Sequence, residues 1–298
     1  MRKIPAALAA VVALSLGLTA CGGNTTTAGS SASGKAAKTV KIAVVGDKQE
    51  PWISVQKAVK DKENITLQLV KFSDYVKPNE SLNSGEVDLN SFQTQIFLDT
   101  YNKQHTTTLK TIGVTVMAPL GAYSKKTTKI TDIAQNGTVS IPSDASNGGR
   151  ALKLLETAGL LKVSASAGLA PTVKDITDNP KNLQIKALDA AQTARSLQDV
   201  DVAIINSALA VDAGLIPSRD AIFLEPVTAA SAPYCNVIAA RSADVDNETY
   251  KAVVKYYQTD ATAQVIVDST KGSQFPVWDG APKNLKPNLS SASPSASA

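Results

Sequence analysis

The chain has 298 residues, 43% of them hydrophobic, and its 30 basic residues nearly balance its 26 acidic ones. This length allows two compact lobes, each with its own core. A net charge of only +4 gives no support for nucleic-acid binding, so we expect no nucleic-acid partner.

The first 20 residues have the layout of a secretory signal peptide, with Arg2 and Lys3 before an apolar run and small residues before Cys21. The run is shorter than the roughly 20 apolar residues that a spanning helix needs. Residues 18–21 (LTAC) resemble the bacterial lipobox, in which the cysteine is lipidated; the alternative is an ordinary signal peptide and a chance cysteine. We expect export and anchoring to the cell membrane through lipid on Cys21, with the protein facing outside the cytoplasm.

Two segments lack the apolar periodicity that a folded core requires. Residues 21–38 are mostly Gly, Ser, Thr and Ala, and we expect a flexible tether. Residues 290–298 are Ser, Ala and Pro, and we expect a disordered tail at 289–298.

Between them, strand and helix patterns alternate along the first half of the chain. β-branched apolar runs predict strands, and apolar residues three or four apart predict helices. The predicted strands are 39–45, 65–71, 87–90 and 109–119, and the main predicted helices are 51–60, 76–84 and 97–103. This order is typical of a parallel sheet with helices on its faces.

The alternation then restarts in the second half. Predicted strands are 138–141, 183–188, 200–205, 222–227 and 236–240, and predicted helices are 149–158, 190–197, 207–213, 247–258 and 259–269. We therefore predict a two-lobed α/β fold in which each lobe is a mixed sheet flanked by helices, joined by two crossover strands. Lobe 1 would comprise residues 39–117 and 236–288, and lobe 2 residues 118–235.

Motifs of catalysis are missing from the sequence. His105 is its one histidine and lies in a polar run, and there is no Gly-x-Ser-x-Gly, H-E-x-x-H or P-loop. Cys235 has no cysteine partner once Cys21 is lipidated, so we expect neither a disulfide nor a metal site. We expect a binding protein, with no cofactor, rather than an enzyme.

A polar cluster before the helix at 149–158 is the first candidate ligand site. Ser146 and Asn147 are residue types that cap helices, and Gly148 and Gly149 would let a ligand approach the backbone. Arg150 adds a planar donor suited to a carboxylate. The pattern predicts a carboxylate cradle; an ordinary capped helix with a solvated arginine is the alternative.

Three further stretches follow predicted strands, where α/β folds bind ligands. They are 89–98, 204–207, which contains Asn206, and 232–238, which contains Asn236. An asparagine both donates and accepts, and so suits the ammonium and carboxylate groups of an amino acid. Either asparagine could instead cap a helix or turn.

Several of these stretches resemble the NlpA-type lipoproteins, the methionine-binding components of amino-acid ABC importers. The matching segments are 72–79 (FSDYVKPN), 85–93 (GEVDLNSFQ), 141–152 (IPSDASNGGRAL), 175–181 (DITDNPK), 199–206 (DVDVAIIN) and 233–236 (PYCN). The resemblance implies a type II periplasmic-binding-protein fold. It also implies that Arg150 pairs with a substrate carboxylate, and that Asn206 and Asn236 hold the amino and carboxylate groups. Asn147, from the polar cluster before Arg150, also belongs to the predicted ligand site.

The resemblance also implies a side-chain pocket walled by Tyr75 and Phe92, and there the chain departs from the family pattern. The family turn reads Phe-Gln-His-x-Pro-Tyr-Leu, whereas this chain has Thr94, Ile96 and Phe97 at the His, Pro and Tyr positions. Thr94 and Phe97 thus belong to the predicted site in altered form. A small apolar amino acid is implied as ligand, methionine first.

The expected partner is an ABC permease and ATPase complex in the membrane, served by a monomeric binding protein. Two alternatives remain. The same scaffold could bind a methionine-containing dipeptide or another hydrophobic amino acid. A lipoprotein of a different class would act in adhesion or surface display without transport.

Overall fold

The computed structural model describes residues 35–288. The predicted signal peptide, the lipid attachment at Cys21 and the tail at 289–298 lie outside the described residues. Within them, Lys35 pairs with Glu63, and its carbonyl accepts the Asn64 side-chain amide at 2.8 Å. Because β1 begins at Lys38, the last residues of the predicted tether already belong to the fold.

Strands form two main sheets and one small hairpin in the described part of the chain. They are β1 (Lys38–Val45), β2 (Ile65–Phe72), β3 (Leu89–Asn90), β4 (Lys110–Met117), β5 (Gly121–Tyr123), β6 (Thr138–Pro142), β7 (Lys162–Val163), β8 (Ile176–Asp178), β9 (Gln184–Leu188), β10 (Val202–Ile205), β11 (Phe223–Leu224), β12 (Cys235–Ala240) and β13 (Phe275–Pro276). The first sheet has the order β13-β4-β12-β3-β1-β2, the second β11-β5-β10-β6-β9, and β7 pairs with β8.

Helices connect these strands. They are α1 (Glu50–Glu63), α2 (Lys77–Ser84), α3 (Gln95–His105), α4 (Ala145–Thr157), α5 (Ala190–Thr193), α6 (Ser207–Asp212), α7 (Pro217–Asp220), α8 (Glu248–Tyr257) and α9 (Asp260–Ser269). The expected helix at 190–197 is instead α5 followed by a 3-10 turn at Arg195–Gln198.

The first sheet buries both of its faces, because successive strand residues point to opposite sides. Ile42 and Val44 pack with α1, α8 and α9, whereas Ala43 packs with α2 and α3. The second sheet repeats this arrangement: Ile204 contacts the α4 side and Ile205 the opposite side. Apolar contact on both faces explains why these strands read as continuous hydrophobic runs.

Both sheets are mixed, which confirms the predicted two-lobed α/β architecture. In the first, β1 runs parallel to β2 and β3, and β12 runs antiparallel to β3 and β4. In the second, β6 is parallel to β9 and β10, and β5 is antiparallel to β10. The element order of the first half is typical of a parallel sheet, but its strands join a mixed sheet because β4 pairs with β12 and β13, which arrive later in the chain.

The chain crosses between the sheets twice. It leaves β4 through residues 118–120 and returns to β12 through residues 225–234. Because β4 and β12 pair with each other, the two crossings start from neighbouring strands of the first sheet. The carboxyl ends of β3, β6 and β10 face the space between the lobes, which is where the candidate site residues lie.

Candidate functional site

The helix that carries Arg150 begins four residues earlier than the sequence predicted. Asp144 is its N-cap, and the Asp144 carboxylate accepts the backbone N–H of Asn147 at 2.8 Å. A carboxylate is favoured there because helix N-termini carry unpaired N–H groups and partial positive charge. Ser146 and Asn147 are therefore inside the first turn rather than capping it, and Asn147 and Arg150 share one helix face.

The sequence predicted that Gly148 and Gly149 would let a ligand approach the backbone. They instead allow close packing of the protein's own backbone. A Cβ at Gly148 would lie 2.7 Å from the Pro142 carbonyl oxygen. A Cβ at Gly149 would lie 2.6 Å from the Ala170 Cα. Because both neighbours are backbone atoms, the glycines let α4 sit against β6 and the 170–171 segment, which fixes the position of Arg150.

Arg150 is buried, with 3% of its side chain exposed, and it is paired inside the protein. Its Nε donates to Glu225 Oε1 at 2.8 Å, and its Nη2 donates to Glu225 Oε2 and to the Ala118 carbonyl at 3.1 Å. The Tyr234 ring lies 4.6 Å from the guanidinium carbon. The alternative of a solvated surface arginine is thus wrong.

The orientation of the Asn206 amide follows from a chain of hydrogen bonds. The Asp144 carboxylate can only accept, so the Asn147 amide nitrogen, 3.1 Å away, must donate to it. Asn147 Oδ1 is then an acceptor, and Asn206 Nδ2 donates to it at 2.9 Å. This leaves Asn206 Oδ1 as a buried acceptor with no hydrogen-bond partner among residues 35–288.

Thr94 connects the aromatic turn to Asn236. It is the N-cap of α3, and its Oγ1 accepts the Phe97 N–H at 3.3 Å. Its backbone forms an antiparallel bridge with Asn236, and the adjacent Val237 N–H donates to the Gln93 carbonyl at 3.0 Å. The side-chain amide of Asn236 makes no hydrogen bond within the described chain and lines the same cavity as Thr94.

The buried side-chain amides of Asn79, Asn90 and Gln93 hold this turn in place. Asn79 Nδ2 donates to Gln93 Oε1 at 2.8 Å, while Gln93 Nε2 donates to Asn79 Oδ1 at 2.7 Å and to Asn90 Oδ1 at 2.9 Å. Asn90 Nδ2 donates in turn to Asn79 Oδ1 at 2.8 Å. All three are nearly inaccessible, and satisfied buried networks of this kind specify one arrangement of the backbone.

Tyr75, Phe92 and Phe97 form an aromatic cluster on the lobe 1 side. Their ring centroids are 5.8 Å apart for Tyr75 and Phe92, 6.1 Å for Tyr75 and Phe97, and 5.7 Å for Phe92 and Phe97. Burial raises the pKa of the Tyr75 hydroxyl, and the carboxylates of Asp144 and Asp212 raise it further. The cluster is therefore an apolar and uncharged wall at neutral pH.

The structure brings the eight predicted ligand residues to one cavity of about 60 Å³ between the lobes. Lobe 1 contributes Tyr75, Phe92, Thr94, Phe97 and Asn236, and lobe 2 contributes Asn147, Arg150 and Asn206. The cavity thus has a cationic donor, three asparagines and an aromatic wall. This combination suits a small zwitterion with an apolar side chain.

The lobes also make direct hydrogen bonds to each other. Gln274 Nε2 of the first lobe donates to Ser207 Oγ of the second at 3.1 Å. The Asp212 carboxylate accepts the N–H groups of Asp47 and Lys48, each at 3.3 Å. Asp212 fits there because Gly46 has no side chain: a Cβ at Gly46 would lie 2.1 Å from Asp212 Oδ2.

Sequence reasoning missed Glu225, Asp212 and Gln274. Each is a single polar residue whose partner is distant in the chain, so no local pattern could reveal it. Two residues that the sequence brought into question, His105 and Cys235, lie outside the cavity. His105 stacks on Tyr101 with ring centroids 4.1 Å apart, and Cys235 is a half-buried free thiol whose pKa is raised by burial.

Residues 35–288 contain no group of three or more His, Cys, Asp or Glu side chains placed to hold a metal ion. Over the same residues, every helix is too short or too polar to cross a membrane.

Comparison with known proteins relates the chain to methionine-binding lipoproteins. It is 38% identical over 242 residues to the D-methionine-binding lipoprotein MetQ of Escherichia coli K12, covering 80% of this chain and 88% of that one. It is 37% identical over 254 residues to Lipoprotein 28 of the same organism, covering 84% and 92%.

Solved structures show the same fold. A nutrient-binding protein from Burkholderia cenocepacia, bound to methionine, is 43% identical with a TM-score of 0.77, covering 80% of this chain and 99% of that one. The substrate-binding protein of a methionine transporter from Streptococcus pneumoniae is 40% identical with a TM-score of 0.76, covering 80% and 96%. These neighbours are substrate-binding transport proteins. The NlpA lipoprotein family matches residues 40–278, and the chain belongs to that family.

Proposed function

We propose that this protein is a lipid-anchored, extracytoplasmic solute-binding protein that captures methionine or a related small apolar amino acid and delivers it to an ABC permease. The observation that carries the proposal is that two polar groups in one cavity lack a hydrogen-bond partner in the described protein. The hydrogen bonds of Arg150 to residues 35–288 use Nε and Nη2 and leave Nη1 without an acceptor. Asn206 Oδ1 is buried without a donor, and both residues line the cavity. A buried acceptor without a partner is costly, so a ligand that supplies one is favoured.

An amino acid satisfies both groups at once. Its carboxylate accepts from Arg150 Nη1 and from the free amide of Asn236, and its ammonium donates to Asn206 Oδ1. Its side chain then lies against Tyr75 and Phe92. The charge-assisted contact with Arg150 contributes about 1.5–3 kcal/mol.

Calorimetric titration tests this proposal directly. The soluble form, starting after Cys21 and refolded to remove carried-over ligand, is titrated with L-methionine and D-methionine, with leucine and glutamate as comparisons. We expect one-to-one binding of methionine and no binding of glutamate, whose extra carboxylate has no partner in the cavity. Absence of heat for every amino acid would contradict the proposal and favour surface display without transport.

A larger cavity favours a longer ligand as the second candidate. A cavity of about 280 Å³ adjoins the first across Tyr75 and Phe97 and is lined by both lobes, including Asp144 and Asp189. A methionine-containing dipeptide could extend into it past these two rings. Tighter binding of such a dipeptide than of methionine would establish this reading, and equal or weaker binding would exclude it.

Membrane attachment and delivery need separate tests. We propose that lipid on Cys21 holds the protein to the membrane, so Cys21→Ala releases it into the soluble fraction of expressing cells.

We also propose a monomer that serves a permease and ATPase complex. Deletion of the protein should then reduce uptake of labelled methionine, and unchanged uptake would argue against delivery. Binding without turnover of the ligand is expected throughout.

A further inference from the structure

Glu225 pairs with Arg150 from outside the candidate ligand cavity. It follows β11, and its carboxylate engages the Nε and Nη2 edge of Arg150. Its Oε2 also accepts the Leu120 N–H at 3.0 Å, and its own N–H donates to the Leu120 carbonyl at 2.9 Å. Glu225 is therefore fixed against the first crossing between the lobes, with 12% of its side chain exposed.

This pairing restricts what Arg150 offers to a ligand. Nε donates to Glu225, and Nη2 donates to Glu225 and to Ala118. Only the two N–H bonds of Nη1 have no acceptor in residues 35–288. A ligand carboxylate consequently meets one nitrogen of a guanidinium that already has an anionic partner.

The charge balance of the site follows from the same contact. Among the described residues that line the cavity, Arg150 is the one with a formal charge. Glu225 cancels that charge from outside the cavity wall. A zwitterion adds no net charge to the closed site, whereas a ligand of net charge −1 would leave a buried negative charge uncompensated, which is unfavourable.

We propose that Glu225 is a specificity-determining residue that makes the site select zwitterionic amino acids over their N-acylated anions. It acts through Arg150 rather than by touching the ligand. The inference rests on the proposed function and names its substrate class more closely. Asn206 Oδ1, a buried acceptor without a donor, also favours zwitterionic amino acids, because acylation removes hydrogen-bond donors from the ligand nitrogen.

The test compares two ligands on two proteins. L-methionine and N-formyl-L-methionine are titrated into the soluble wild-type protein and into Glu225→Gln. Removal of the negative charge leaves Arg150 cationic, so the preference for methionine over N-formylmethionine should fall by at least about tenfold. The ratio of the two dissociation constants is decisive, since general damage to the site weakens both ligands in parallel.

Glu156→Gln is the matched control. Glu156 is also in lobe 2 and also pairs with a basic residue, Lys153, but it lies outside the cavity wall. Its substitution removes the same charge and should leave the ratio unchanged. Glu225→Asp retains the charge and should keep the wild-type ratio, which gives a second measurement if Glu225→Gln does not fold.

The outcomes separate the inference from the proposed function. A folded Glu225→Gln variant with the wild-type ratio overturns the inference alone, as does a shifted ratio in Glu225→Asp. Failure of the wild-type protein to bind methionine overturns the proposed function and this inference with it.

Discussion

Asn206 Nδ2 donates to Asn147 Oδ1 at 2.9 Å, and this contact determines which atom of Asn206 faces the cavity. Because Asp144 fixes the polarity of Asn147, Asn206 Oδ1 is the atom left without a donor. The helix cap that sets the start of α4 therefore also sets the hydrogen-bond polarity of the site.

Asn206→Leu tests the role of this acceptor. Leucine has nearly the same size but cannot accept a hydrogen bond, so affinity for methionine should fall roughly tenfold or more. Calorimetry with 4-methylthiobutanoate, which lacks the ammonium group, supplies the control. Wild type should prefer methionine over this analogue, and the variant should lose most of that preference. A preference that survives in Asn206→Leu places the ammonium elsewhere.

Arg150→Met separates binding from folding when it is combined with Glu225→Gln. The single variant leaves the Glu225 carboxylate buried without its cation, which should cost about 3–5 kcal/mol of unfolding free energy. The double variant should recover much of that stability, because no uncompensated charge remains. Both should bind methionine roughly ten- to a hundredfold more weakly than wild type, because they lack the charge-assisted contact with the carboxylate. Urea denaturation and calorimetry check the two effects, and a double variant that binds normally would remove Arg150 from the site.

The sequence predicted the location of the site better than its construction. Most predicted ligand residues follow a strand or lie in the first turns of a helix, whereas Asn236 lies at the start of β12. Strand ends at one sheet edge meet in space whatever their separation along the chain. Arg150, Asn206 and Asn236 therefore reach one cavity, as the resemblance to the NlpA lipoproteins implied. Their roles toward a ligand remain a prediction.

The rest depended on contacts that no local pattern encodes. Glu225 stands in a Leu-Glu-Pro run that is typical of an exposed charge, yet its carboxylate is paired 75 positions away. The start of α4 was missed because Asp144, Ser146 and Asn147 are all good N-caps, and only the backbone conformation decides among them. Gly149 was read as space for a ligand, whereas the neighbouring backbone occupies that space.

Gly149→Ala tests this packing role, because the sign of its effect on the free energy of unfolding depends on the space around Gly149. In an open helix position, alanine would stabilise by roughly 0.5–1 kcal/mol relative to glycine. Here the new Cβ would lie 2.6 Å from Ala170 Cα, so α4 must shift, and both stability and methionine affinity should fall. Thr157→Ala, at an exposed position of the same helix, is the control and should leave both nearly unchanged. A stabilised Gly149→Ala variant would contradict the packing argument.

Asp212 predicts a pH dependence of the contact between the lobes. Burial raises the pKa of this carboxyl above the ordinary value of an aspartate, and the nearby Asp47 carboxylate adds to the effect. The N–H groups of Lys48 and Asp47 oppose it without cancelling it. In the pH range just above the ordinary value, the folded protein therefore binds more protons at Asp212 than the unfolded chain does.

The sign of the effect follows from that difference. Where the folded state binds more protons, the free energy of unfolding falls as pH rises. The stabilisation from protonated Asp212 is present at low pH and is lost as pH rises through the raised pKa. Asp212→Asn resembles the protonated form at every pH, so its stability relative to wild type should be greatest at neutral pH and should decline on acidification toward pH 4. Urea denaturation of both proteins between about pH 7 and pH 4 measures this, since subtracting the two curves removes the other carboxylates. A difference that grows on acidification would mean that the Asp47 and Lys48 N–H groups stabilise the ionised carboxylate more than burial disfavours it.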